Sequence, residues 1–182
     1  MQNRPARRVA LTGMLFALAL LFSYLESFLT PLLGLPPGVK IGLANTVVLY
    51  ALLFLPRRYA LLLVLLKAGF AFITRGAVAA ALSAAGGLLS LVVMVLLLLP
   101  KKKVGLLVLS VAGALFHNMG QLVVVRVLFG HFSLYYAPVL VVSGVVMGCL
   151  TGLLLRALLP ALQRAGLGVP GAESPAPPRG GA

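Results

Sequence analysis

From Val9 to Arg156 the chain is a succession of apolar runs, separated only by short basic or Gly/Pro punctuation. A hydrocarbon core about 30 Å thick is crossed by about 20 apolar residues in a helix. The runs therefore predict membrane spans. With 62% hydrophobic and 9% charged residues, a water-soluble domain would lack the polar surface to cover itself.

The expected fold is an all-α integral membrane protein, a bundle of six transmembrane helices. Residues 1–8 form a basic cytoplasmic N-terminus, 9–159 the six-helix domain and 160–182 a disordered cytoplasmic tail rich in Gly, Pro, Ala and Ser. The expected spans run from about Val9 to Phe28, Lys40 to Leu55, Tyr59 to Thr74, Ala77 to Leu99, Val104 to Phe129 and Tyr135 to Leu159. Pro31, Gly34, Pro36, Pro37 and Gly38 mark a loop after the first span, and Pro56, Gly76, Pro100 and Gly130 mark the other breaks. Arg4, Arg7 and Arg8 before an apolar run resemble a signal peptide, but the run leads into Tyr24, Leu25 and Glu26 without a small-residue cleavage site. The expectation is a retained first helix.

The net charge is +13, because 15 Lys and Arg face only Glu26 and Glu173. The cations sit at the ends of apolar runs, where they meet lipid phosphates, so the bilayer is the expected partner and nucleic acid is not. Six spans put Arg4, Arg7, Arg8, Arg57, Arg58, Lys101, Lys102, Lys103, Arg156, Arg164 and Arg179 on one side, 11 of the 15 cations. By the positive-inside rule that side is cytoplasmic. The expected location is the cell membrane, multi-pass, with both termini inside. Cys149 is the single cysteine and lies in an apolar run, which excludes an intramolecular disulfide and a CxxC site.

Polar side chains inside spans are expensive and face a protein interior or a water-filled cavity. The candidate binding residues are Glu26, Lys40, Asn45, Lys67, Arg75, His117, Asn118, Gln121 and Arg126, all in the middle or outer half under this topology. Helical spacing puts His117 and Gln121 on one face with Asn118 beside them. Two readings stand for Lys40, Arg75 and Arg126: ligand contact, or snorkelling to the outer headgroups. Lys67 is too deep to snorkel easily. Glu26 is either part of the site or a counter-ion to one of these cations. The excess of positive charge predicts a small anionic or amphipathic ligand.

Small residues recur on two helices, as Gly144, Gly148 and Gly152 near the end of the chain and as Ala6, Ala10, Gly13 and Ala17 near its start. Such strips permit close helix contact, either inside the bundle or with another membrane subunit. No Asp occurs, so the clustered carboxylates that would hold Mg²⁺ on a diphosphate are missing. Phosphate-loop, zinc-hydrolase and serine-hydrolase motifs are also missing. No catalytic residue, metal or cofactor is expected.

The segments Lys40-Ile41-Gly42-Leu43-Ala44-Asn45, Ala85 to Ser90, Gly113 to Gln121 and Tyr135 to Gly152 resemble the Gx transporter family, often labelled heptaprenyl diphosphate synthase component I. The resemblance covers about residues 7–156. It is distantly similar to the substrate-binding S components of energy-coupling factor transporters, which have six helices and both termini inside. That resemblance implies an outward-facing substrate site and docking of helix 1 small residues on a transmembrane coupling subunit, with ATPase subunits behind it. Three functions stay open: a substrate-binding transporter subunit, an accessory component of a polyprenyl diphosphate or quinone pathway, and a noncatalytic membrane scaffold.

Overall fold

The computed structural model describes residues 4–34, 41–99, 104–130 and 137–164. Lys40, the Lys101 to Lys103 cluster and residues 165–182 of the expected tail lie outside the described residues. Among the described residues there are six helices and no strand: α1 (Arg4–Leu32), α2 (Leu43–Phe54), α3 (Arg57–Arg75), α4 (Ala77–Leu97), α5 (Leu106–Phe129) and α6 (Ala137–Arg164).

Glycine sets two of the breaks. Gly42 at φ 86° and Gly76 at φ 86° occupy the region that side chains avoid, so α2 begins after the first and α3 is cut from α4 at the second. The expected start of the second helix at Lys40 moves to Leu43 for this reason. Two prolines break less than expected. α1 runs through Pro31 to Leu32, and α6 through Pro160 to Arg164. A proline removes one hydrogen bond to the preceding turn, and near a helix end that single loss does not stop the last residues from coiling. The last helix, expected to end at about Leu159, therefore runs to Arg164.

Among the described residues, four helices are long and apolar enough to cross a membrane: Val9–Thr30, Ala77–Leu97, Leu106–Phe129 and Pro138–Leu162. This is compatible with a membrane protein. The outside of the bundle agrees, since Ile73, Val127, Val9 and Val142 are all exposed. The other two helices differ in kind. α2 has 12 residues, about 18 Å of helix, and eight of them are buried. α3 carries Arg57, Arg58, Lys67 and Arg75 in its 19 residues.

Helices α3, α4, α5 and α6 pack in sequence, and α2 sits among α1, α3 and α6. The apolar core gathers where α2 ends and α3 begins. Leu49, Tyr50, Leu52, Leu55, Ala60 and Leu63 meet Leu15 of α1, Leu91 of α4, Leu109 of α5 and Leu155 of α6. That leaves the opposite end of α2, with Gly42 and Asn45, to face polar side chains.

Candidate functional site

The first turn of α2 is the organising element. Its start is well inside the bundle, because Gly42 packs beside Thr151 in the middle of α6: a Cβ on Gly42 would come within 2.9 Å of the Thr151 hydroxyl. The Gly42 N–H donates to Glu26 Oε1 of α1 at 2.5 Å. A carboxylate is well placed there, since the start of a helix carries unsatisfied N–H groups and partial positive charge. Glu26 is buried, and this contact gives it a role other than cation neutralisation alone.

Asn45 lies in the same turn, three residues nearer the helix start than an origin at Lys40 implied. Its side-chain oxygen accepts a hydrogen bond from Lys67 Nζ of α3 at 2.8 Å. Lys67 is ten residues into α3, about 15 Å along it. The bond directs it to the bundle interior.

His117 of α5 is buried and closes the cluster from the other side. Asn45, Lys67 and His117 line one cavity with Ser83 and Ser90 of α4. A second cavity adjoins it, lined by Asn45, Ser90, Ser110, His117, Asn118 and Thr151. Together they bring polar groups from α2, α3, α4, α5 and α6 to one place. Their free volumes are about 30 Å³ and about 10 Å³. A water needs roughly 10 to 15 Å³ on this measure, whereas sites for drug-sized ligands run to about 300 Å³ or more. In this arrangement the helices enclose space for water-sized occupants.

Glycines on α4 make the closeness of His117 permissible. A Cβ on Gly86 would sit 2.8 Å from the His117 carbonyl oxygen and 2.9 Å from its ring carbon Cε1, and one on Gly87 would meet Val64 of α3 at 2.7 Å. The pair lets α4 approach α5 and α3 at the same level.

The remaining candidates separate. Asn118 lines the second cavity, but its amide donates to the Leu140 carbonyl of α6 at 3.0 Å, so part of its capacity ties α5 to α6. Gln121 is half-buried and lines neither cavity. Arg75 is exposed at the end of α3, and Arg126 is exposed in the last turn of α5, where its guanidinium donates to the Gly130 carbonyl. The structure thus joins Asn45, Lys67, His117 and Asn118, and leaves Gln121, Arg75 and Arg126 outside. Ser90, Ser110 and Thr151 belong to the cluster without having been singled out by sequence, since serine and threonine also occur as ordinary back-bonded residues of membrane helices. Gly86 and Ser90 do fall inside the Ala85 to Ser90 segment.

The two small-residue strips also separate. Gly144, Gly148 and Gly152 are buried against α5. Ala10, Gly13 and Ala17 are exposed, and a Cβ on Gly13 would meet nothing within 4 Å. The Ala6 side chain lies outside the described residues.

Long apolar helices around a polar cluster make an all-helical protein, compatible with a membrane protein, that has an internal polar site. The chain belongs to the family described as heptaprenyl diphosphate synthase component I, whose model matches residues 15–158. No curated protein and no solved structure matches it.

Proposed function

We propose that this chain is the substrate-binding membrane subunit of a transporter, non-catalytic by itself, which holds the anionic group of a small anionic or amphipathic molecule at the cluster of Asn45, Lys67 and His117. The observation that carries the reading is Lys67: a cation directed into the bundle and held by Asn45 beside His117. A carboxylate or phosphate gains most where the dielectric is low and the positive group is already oriented. His117, Asn118 and the serines supply directional hydrogen bonds.

The start of the short α2 lies beside the same cluster. Half-length helices whose N-termini reach the interior are a device by which transporters meet anionic groups. Here Glu26 occupies that helix start. With only water-sized space enclosed, binding requires the helices around Asn45 and His117 to part, and the described arrangement is the closed one.

In this proposal all six helices span the membrane with both termini cytoplasmic, in the manner of energy-coupling factor S components. Arg75 lies at the outer end of α3. The exposed Ala10, Gly13 and Ala17 strip, with Ala6 in register before it, faces a transmembrane coupling subunit that works with ATPase subunits. A second reading is favoured by the family description: an accessory component of heptaprenyl diphosphate synthesis. Without an Asp in the chain, the carboxylates for Mg²⁺ would come from a separate catalytic subunit. A plain scaffold accounts least well for a lysine and a histidine gathered around an internal cavity.

Native mass spectrometry after mild detergent extraction tests the proposal. Retention of a small anionic molecule, with ATPase subunits copurifying, is the expected result. Prenyl synthase activity that depends on this chain, with no retained small molecule, would favour the second reading instead.

A further inference from the structure

A groove of about 720 Å³ runs along the outside of the bundle between α5 and α6 and reaches inward as far as Asn118, which also lines the second cavity. Leu122 and Val123 of α5 and Leu140 and Val141 of α6 form its apolar walls, and it extends along α5 from Leu115 to Val127. The distance from Leu115 to Arg126 is eleven residues, about 17 Å of helix, which is the scale of a lipid tail within one leaflet.

Among the described residues, Arg126 is the only charged one lining this groove. It stands in the last turn of α5, and its contact with the Gly130 carbonyl holds the guanidinium at that end. A guanidinium has five N–H donors in a planar fork, so donation to one carbonyl leaves others for a phosphate. The groove therefore has a long apolar part and a cationic end at the end of an apolar helix, where headgroups lie.

We propose that this groove seats an anionic phospholipid of the surrounding bilayer, with one acyl chain along Leu122, Val123 and Val141 and the phosphate on Arg126. A soluble anion would gain nothing from the apolar walls. A diphosphate calls for more positive charge than one arginine provides. The seat shares Asn118 with the second cavity but does not reach Lys67 or His117.

The test is native mass spectrometry of full-length protein released from nanodiscs containing equal amounts of phosphatidylglycerol and phosphatidylcholine. One arginine near the membrane surface should enrich the anionic lipid about fivefold. Arg126→Gln should bring the ratio close to one. Val123→Trp and Val141→Trp, at positions 55% exposed and 55% exposed, should fill the groove from either wall and lower the number of retained lipids without unfolding the bundle. Lys67→Met should leave the enrichment unchanged, which keeps this result independent of the proposed substrate site. Equal retention of the two lipids by the wild type, or enrichment that survives Arg126→Gln, would overturn the assignment. So would lipid retention unchanged in both tryptophan variants, or displacement of phosphatidylglycerol by an equal mole fraction of dodecyl phosphate, which would assign the groove to a single-chain substrate.

Discussion

On α6, a Cβ added to Gly148 would stand 2.6 Å from the Val111 Cα of α5, and one added to Gly144 would stand 2.9 Å from Leu115 Cδ2. On α1, a Cβ added to Gly13 would meet nothing within 4 Å. Both helices carry small residues at intervals of three or four, yet only the α6 strip is used inside the bundle. There the backbones come close enough for Ser110 Oγ to donate to the Gly148 carbonyl at 2.6 Å and for Asn118 to donate to the Leu140 carbonyl. α1 is attached by other means: Leu15 and Ala19 in the core, and the Glu26 carboxylate on the Gly42 N–H. Small residues make close approach permissible, and the partner's shape decides whether it happens.

The contrast is open to direct attack. Gly148→Leu should have the largest effect, because a side chain directed at the backbone of α5 cannot be accommodated by a rotamer change. Overpacking of this kind costs about 3 kcal/mol or more. The melting temperature in detergent should fall by about 10 °C; an unchanged value would mean that α5 and α6 are not in close contact. Glu26→Ala removes a charge-assisted hydrogen bond and should cost about 2 kcal/mol, read by the same melting experiment. Stability equal to wild type would show that α1 is held by its apolar contacts alone. Asn118→Leu should cost about 1 kcal/mol, the ordinary worth of one hydrogen bond, and measurement beside Gly148→Leu would separate bonding from packing at this seam.

The smallest stability effect is expected for Ala10→Leu combined with Gly13→Leu. Both positions are exposed, and surface substitutions usually change stability by no more than about 0.5 kcal/mol. If the strip docks a coupling subunit, the double variant should remain folded and lose that subunit on copurification. Retention of every partner would defeat the docking proposal, and a large loss of stability would show that the strip packs within the chain after all.

Much of the helical layout was legible because apolar runs and glycine punctuation are local signals. Gly76 and Gly130 stop helices where a residue without a side chain was expected to stop them. Pro31 and Pro160 misled, since proline weakens a helix end without forbidding it. The meeting of Asn45, Lys67 and His117 could be expected only as membership of one polar set. Which members touch depends on how far α2 extends, and that depends on the φ of Gly42. Arg126 and Gln121 illustrate the limit of counting along one helix. They share α5 with His117, but their directions relative to α4 and α6 come from packing. The opposite fates of the α1 and α6 strips were not legible for the same reason.

The central claim is that Lys67 and His117 hold the anionic group of a ligand, and its most direct test is the equilibrium affinity of the molecule that copurifies with the wild type. That affinity should be measured on folded wild type, Lys67→Met, His117→Ala and Gly13→Leu. A charge-assisted contact contributes about 1.5 to 3 kcal/mol, so Lys67→Met should weaken binding about tenfold or more. His117→Ala should weaken it by a smaller factor, and Gly13→Leu should leave it unchanged. Equal affinity in wild type, Lys67→Met and His117→Ala would contradict the proposed site.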